Sequence, residues 1–489
     1  MISQMHLLWS GFLAFGLFLA FKCSWKRERG SALIGRIGES NGNNTVVLIS
    51  PMIILWIFLI QAGAKVLFSG IKDGLMDFAG FAAVLTLNVC IYYTVLLAAG
   101  PAVRKYFSAR ACAFLWVLPA AMFICPASMP VFISDVKKCI YIPGDMLSIF
   151  VYVWLAAAAV LFIFHIAVHF IIRRRMLGAS RPVDDSVILS MWAAECESIN
   201  YGSPPELLYC KKATTPMSMG RYNDTCIVFL PDREMTEEDL RLIFRHEIRH
   251  IQRRDVDTKI IMTFFLSLFW FNPLMWVAVK KASEDLELSC DEIVLENASE
   301  RERRRYAELI LHTAGNSLSF STCLSSSAKS LRYRLKAVME QRKTMTGAFM
   351  TAVVMFIFCA GYGTLSVVTE RGTIGEMAFA DSGSCEITDG NLYCGNKKEG
   401  SIRQVQGEHG EELMNYITEA RAGRLLGDID MRNLDTEAEF NIKSKNWEFF
   451  VEVCGKIVEV YDKRAEESEY YILQADLDRE YIKTFFIIK

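Results

Sequence analysis

The sequence predicts a polytopic α-helical membrane protein with two water-facing parts. One is a mostly helical domain with a small edge sheet; the other is a small α+β domain at the C-terminal end. Three observations predict this. Long apolar runs recur along the 489 residues, which are 52% hydrophobic with a mean hydropathy of +0.24, high for a water-soluble chain. Lysine and arginine gather in four clusters that can all lie on one side of a bilayer. Beyond residue 370 the pattern changes to short alternating stretches between turn residues, which is strand patterning.

Six segments are long and apolar enough to cross a membrane: 5–21, 46–68, 78–99, 112–134, 147–172 and 346–368. No basic residue precedes the first and no small-residue cleavage site follows it, so it reads as an anchor. The basic clusters are Lys22 with Lys26, Arg27, Arg29 and Arg36; Arg104 with Lys105 and Arg110; Arg173 to Arg175; and Arg332, Arg334 and Lys336 with Arg342 and Lys343. With the N-terminus outside, all four lie inside. The expected order is a membrane domain of about five spans (1–172), a cytoplasmic domain (173–345), a last span (346–368) and an extracytoplasmic domain (369–489). The cytoplasmic stretch is near neutral. Residues 370–489 hold 15 Lys/Arg against 25 Asp/Glu, a net of −10. That acidity would suit a cationic ligand or partner, or it is a solvated face. No basic block with interleaved aromatics suggests direct nucleic-acid contact. The 14 cysteines are mostly scattered singly and imply no general disulfide framework.

Within the cytoplasmic part, Thr236 followed by Glu237, Glu238 and Asp239 looks like a helix start, with a hydroxyl cap and acids in the first turn. Leu240, Phe244, Ile248 and Ile251 then recur at helical spacing. The helix carries His246-Glu247-Ile248-Arg249-His250. Histidines four apart project from one face, so both imidazoles can reach one Zn²⁺, and Glu247 stands beside them to take a proton from an attacking water. A solvated amphipathic helix that happens to carry two of the chain's seven histidines has the same spacing.

Downstream, Glu287 and Asp291 are again one turn apart. A carboxylate from Glu287 would complete a His-His-Glu set with an open fourth position, and Asp291 could fix a ligand histidine from behind. Between the two motifs runs an uncharged stretch, 260–279. A full crossing there would separate His250 from Glu287 by about 30 Å. Asn272-Pro273 interrupts the run, so it reads as two short helices that dip into the membrane and return.

HExxH-x4-Asp, then Trp270-Phe271-Asn272-Pro273 with Trp276, then Glu287-x-x-x-Asp291 resembles the BlaR/MecR-type membrane metallopeptidases, a bacterial family of gluzincin-type zinc proteases. Residues 215–220 and 227–231, expected to form an edge strand beside the cleft, and Tyr306-Ala307 and 331–335 fit the same pattern. The resemblance implies Zn²⁺ held by His246, His250 and Glu287, with Glu247 as general base and Asp291 behind the ligands. Asp255 matches the motif too, either behind the metal ligands or in a helix-end salt bridge with Arg253 or Arg254. The family's best-known members sense β-lactams outside, cleave themselves in the cytoplasmic loop and cause loss of a repressor. This chain departs from them: 370–489 holds neither Ser-x-x-Lys nor Lys-Thr-Gly and is too short for a penicillin-binding domain.

In the last domain, 385–394 reads as a hairpin turning at Asp389-Gly390, which would face Cys385 and Cys394 across a non-hydrogen-bonded pair as a candidate disulfide; two reduced cysteines are the alternative. A helix is expected at 411–426, and strands at 438–442, 447–453, 456–461, 470–473 and 484–488. The serine-rich 315–329 is a flexible segment, either a cleavable loop or a plain linker. Tyr222 and Tyr306 are candidate oxyanion donors.

The function expected is a multi-pass zinc endopeptidase of the bacterial cell membrane, in contact with lipid. It would couple an unknown extracytoplasmic ligand to cleavage of a cytoplasmic repressor, of itself, or of both. A quality-control protease and a non-catalytic receptor or scaffold are the rivals, and a second copy of the chain is a candidate partner.

Overall fold

The computed structural model describes residues 4–29, 51–119, 138–199, 201–220, 225–315, 328–340, 344–361, 365–380, 382–394, 397–403, 408–425, 431, 434–445, 447–485 and 487–488. The chain is mostly helical. It opens with α1 (Gln4–Glu28), α2 (Pro51–Tyr106) and α3 (Ala109–Val117), then a short strand β1 (Lys138–Tyr141) and α4 (Gly144–Leu177). Among the described residues three helical stretches are long and apolar enough to cross a membrane, Leu7–Lys26, Leu85–Tyr106 and Ile149–Leu177. Phe12, Ile149, Val160 and Ile163 point outward from these helices. Such a surface is unfavourable in water and is solvated by lipid, which makes this a membrane protein.

The expected spans 46–68, 78–99 and 346–368 differ from the structure, and most of 112–134 lies outside the described residues. No loop returns the chain between 46–68 and 78–99, because α2 runs unbroken for 56 residues, about 84 Å at 1.5 Å per residue. Lys72-Asp73 lies inside that helix, whose intrinsic preference carries it through two isolated charges. The helix expected at 112–134 is described only as far as Leu118 and Pro119. The last span is shorter than 346–368: α11 (named below) has 14 residues, and Leu365 already begins a strand. β-Branched Val367 and Val368 favour the sheet that this strand joins.

The central unit follows as β2 (Ser180–Pro182), α5 (Ser186–Ser198), β3 (Glu206–Cys210), β4 (Met217–Met219), β5 (Ile227–Pro231), α6 (Glu237–Arg253), α7 (Asp255–Leu268), α8 (Pro273–Val294), α9 (Glu300–Gly315) and α10 (Ala328–Met339). The four strands form one sheet in the order β2-β3-β5-β4, with β4 an edge strand antiparallel to β5. α6 packs on it through Phe244 and Ile248, buried with Val228 and Leu230. The uncharged run is two helices, not one. Asn272 caps α8 by accepting from Leu274 N at 3.0 Å, and Pro273 occupies the first turn, where its missing N–H costs nothing. The reversal returns α8 to α6. Phe265, Phe269 and Met275 from this pair are buried with Leu85, Tyr93, Trp116 and Trp154 of α2, α3 and α4. Asp285 of α8 accepts from Arg104 at 2.8 Å and Trp116 at 2.7 Å, tying α8 to α2 and α3.

The C-terminal part comprises α11 (Ala348–Gly361), β6 (Leu365–Thr373), α12 (Ile374–Ala378), β7 (Glu386–Cys394), β8 (Lys397–Arg403), α13 (Glu408–Thr418), β9 (Arg421–Leu425), β10 (Ala438–Lys443), β11 (Glu448–Cys454), β12 (Ile457–Asp462), β13 (Glu467–Leu473), α14 (Arg479–Lys483) and β14 (Ile487–Ile488). One ten-stranded sheet runs β1-β6-β9-β13-β12-β11-β10-β7-β8-β14. Phe440, Val451, Val458 and Tyr471 line its buried face under Leu413 and Ile417 of α13. The strand from the N-terminal half, β1, pairs in parallel with β6.

The hairpin expected at 385–394 is not formed. Residues 386–394 are one continuous strand, with Asp389 opposite Asn441 and Gly390 opposite Phe440. Gly390 serves close approach instead of a turn: a Cβ there would lie 2.8 Å from Glu439 O and 3.1 Å from the Phe440 ring. Cys385 keeps a free thiol. Nine residues of extended strand separate it from Cys394, about 30 Å, far beyond disulfide reach. The helix expected at 411–426 also ends early, at Thr418. Its remainder is β9, where Gly423 lets Val368 of β6 come close.

Candidate metal centre

The site begins with the way α6 starts and stops. Thr236 caps it by accepting from Asp239 N at 3.3 Å, with three acids in the first turn. It ends at Arg254, which adopts the left-handed conformation (φ 52°) while its N–H returns to His250 O. This is an uncommon state for a side chain with a Cβ. It bends the chain at once into α7, and the first residue of α7, Asp255, is thereby turned back on His250. Asp255 Oδ2 lies 2.6 Å from His250 Nδ1 and also receives Arg253 Nη2 at 2.6 Å. Both roles considered for Asp255 therefore coexist in one carboxylate.

The other imidazole is held from α9 and α8. Tyr306 Oη is 2.8 Å from His246 Nδ1 and donates to Asp291 Oδ1 at 2.5 Å. With that proton committed to Asp291, the hydroxyl oxygen accepts from Nδ1–H. Asp291 stands 3.4 Å from His246 Nδ1 and takes a fork from Arg334 of α10, Nε at 2.5 Å and Nη2 at 2.8 Å. Both histidines are thus fixed with Nδ1 protonated and the Nε2 lone pair turned inward.

The inward atoms converge. His246 Nε2 and His250 Nε2 are 3.0 Å apart, and Glu287 Oε2 lies 3.5 and 3.6 Å from them. Three ligands about 2.0–2.2 Å from one tetrahedral Zn²⁺ stand roughly 3.3–3.5 Å from each other, so this donor set fits the ion. The imidazoles are 13% and 10% exposed and the Glu287 side chain 29%, leaving the approach on the glutamate side. Lys259 Nζ at 3.6 Å and Arg334 Nη1 at 3.7 Å flank the Glu287 carboxylate. Glu247 is buried on α6 beside His246.

Cys290 belongs to the cluster and was not singled out from sequence. Its sulfur lies within 4.8 Å of ligand nitrogens on both histidines and 3.4 Å from His246 O. The available clue is spacing, since residues 287, 290 and 291 share one helical face. Lys259, Tyr306 and Arg334 reach the site from other elements. Tyr306, weighed as an oxyanion donor, is 2% exposed and engaged behind His246 instead; Tyr222 lies outside the described residues.

Electrostatics match the geometry. Burial opposes charge on the imidazoles, but Cys290 and Glu287 together outweigh it and raise His246 to about 10; His250 is also raised, by Cys290, Glu287 and Asp255. Burial pushes the Cys290 thiol up, yet the two imidazoles bring it down to about 6. Burial likewise opposes ionised Asp255, but Arg253 and His250 hold it at about 2. Such a field favours concentrated positive charge between the side chains, and a divalent cation supplies it by displacing protons.

Known proteins share these segments. Residues 140–338 match the family model described as BlaR1 peptidase M56. Regulatory protein BlaR1 of Bacillus licheniformis is 24% identical over 163 residues, 32% of this chain and 27% of that protein. Regulatory protein BlaR1 of Staphylococcus aureus is 25% identical over 154 residues, 31% of this chain and 26% of that one. The methicillin resistance mecR1 protein of Staphylococcus aureus is 31% identical over 77 residues, 16% and 13% of the two chains. The matches thus span about a quarter or less of these relatives. Residues 140–338, which hold every side chain of the cluster, are thus similar to the BlaR1 peptidase M56 model, and these likenesses support the BlaR/MecR type that the motifs resemble.

Proposed function

We propose that this protein is a membrane-embedded zinc endopeptidase of the signal-transducing antirepressor type. The observation that carries the proposal is the convergence of His246 Nε2, His250 Nε2 and Glu287 Oε2, each imidazole braced on its far nitrogen. When bound, Zn²⁺ would supply Lewis acidity to a water and to a peptide carbonyl. Glu247 takes the proton of the attacking water and returns it to the departing amine nitrogen. Lys259 and Arg334 offer positive charge on the open side, where the carbonyl oxygen becomes anionic. The reading places the central unit in the cytoplasm and the ten-stranded sheet outside. It makes a transcriptional repressor, the chain's own 315–329 segment, or both, the substrate. The name of the relatives, regulatory proteins, supports a signalling role over quality control.

The test is cleavage in membranes, comparing wild type with Glu247→Ala by immunoblot with a tag at each end and a neighbouring repressor co-expressed. Fragments of either protein are expected with wild type alone, with zinc content equal in both. Zinc bound but neither protein cut under any inducing condition would favour a receptor or scaffold.

A further inference from the structure

Glu28, the last residue of α1, ends inside the protein with its side chain fully buried. Its Oε1 receives Arg110 Nη1 of α3 at 3.0 Å and faces Arg253 Nε of α6 at 3.8 Å. Its backbone oxygen accepts from Arg249 Nη1 at 2.8 Å. Arg253, only 1% exposed, is the residue that forks onto Asp255, and Asp255 is the carboxylate that holds His250. A continuous polar chain therefore leads from the end of the first membrane helix to an imidazole of the metal centre: Glu28, Arg253, Asp255, His250. α1 itself is not isolated. It packs along α11 through Phe18, Phe21 and Trp25 near Ala348 and Met350, and α11 leads to β6 of the ten-stranded sheet.

Buried ion pairs seldom add net stability, because desolvation cancels most of their attraction. What they fix is position. We propose that Glu28 is a positioning residue for the metal centre: by setting Arg253, it sets the Asp255 carboxylate and with it the orientation of His250, so a shift of α1 against α6 changes metal binding. The inference rests on reading His250 as a metal ligand. Arg29, the next residue, provides the contrast. It also anchors α1, through Glu296 at 2.8 Å while stacking on Trp25 of α1 itself at 3.5 Å, and neither contact involves Asp255.

The experiment measures zinc affinity of the full-length chain in detergent by competition with a chromophoric chelator. Glu28→Gln is expected to weaken zinc about tenfold, as partners behind a ligand do. Arg29→Gln should stay within about twofold of wild type. Glu28→Gln combined with Asp255→Asn should be no weaker than Asp255→Asn alone, since both act along one chain. Unchanged affinity in Glu28→Gln, equal weakening by Arg29→Gln, or additive losses in the double variant would each overturn the proposal. If Glu28→Gln does not fold, Arg253→Lys tests the same link: the charge remains but not the fork, and wild-type affinity in that variant overturns it too. Absence of zinc from wild type would sink this inference and the protease reading together; zinc in wild type with no effect of Glu28 sinks this one alone.

Discussion

Glu287 and Cys290 stand one turn apart on α8 and both face the two imidazoles, yet a divalent cation would use them differently. The carboxylate presents Oε2 at 3.5 and 3.6 Å from the two nitrogens, the edge lengths of a tetrahedron around zinc. The sulfur is wholly buried and sits 3.4 Å from His246 O. Glu287→Ala should therefore lose zinc affinity by about 100-fold or more, since even partners behind a ligand contribute 10- to 100-fold. Cys290→Ser should retain zinc within a few-fold, and the cobalt-substituted wild type should lack a thiolate-to-metal charge-transfer band. Metal lost from Cys290→Ser but kept by Glu287→Ala would reverse the assignment. Part of this centre was legible in the sequence because both histidines and Glu247 lie on one helix, where spacing alone places them. Glu287 became readable only by its distance from that helix. Arg334 and Lys259 carry no local mark, because an arginine 43 residues beyond Asp291 is brought to it only by the packing of α10 on α8.

At the scale of elements, α6 is held in place by both ends. Its last turn is bent into α7 at Arg254, and its first turn is clamped by α9, where Arg305 donates to Asp239 through Nε at 2.7 Å and Nη2 at 2.9 Å. That hydrogen bond lowers the Asp239 pKa more than burial raises it. The folded value is below the unfolded one, so the contribution is present above an ordinary aspartate pKa of about 3.9 and disappears as pH falls through the depressed value. Asp239→Asn should cost roughly 1 kcal/mol near neutral pH, a partly exposed forked pair being worth little more. Thermal melting of the two proteins should show the difference shrinking toward zero in acid; a difference that grows in acid would contradict the pairing. Elements were legible where a local device fixes them, as Thr236 and Asn272 do for α6 and α8. The strand 386–394 was misread because Asp-Gly is a turn signal only when the chain turns. Here the glycine answers to the Phe440 ring of β10, a contact distant in sequence.

For the whole molecule, the two sheets are joined to opposite ends of one helix. β1 enters α4 directly and belongs to the ten-stranded sheet; β2 leaves α4 directly and belongs to the sheet beside the metal centre. α4 has 34 residues, about 51 Å at 1.5 Å per residue, more than the roughly 30 Å hydrocarbon core, and apolar residues such as Val160 and Ile163 face outward along it. If α4 crosses once, the two sheets lie on opposite faces, whichever number of other spans the chain has. On the proposed reading, the basic Arg173, Arg174 and Arg175 put its central-unit end in the cytoplasm. A single cysteine at an exposed position of each side tests this. Glu480→Cys, 81% exposed on α14, should react with a membrane-impermeant maleimide on intact cells, over the wild-type background. Arg304→Cys, 65% exposed on α9, should react only in inverted vesicles. The reverse pattern would turn the molecule over and place the metal centre outside. Labelling of both from one face would mean that α4 does not cross, and that the centre and the acidic sheet share one compartment.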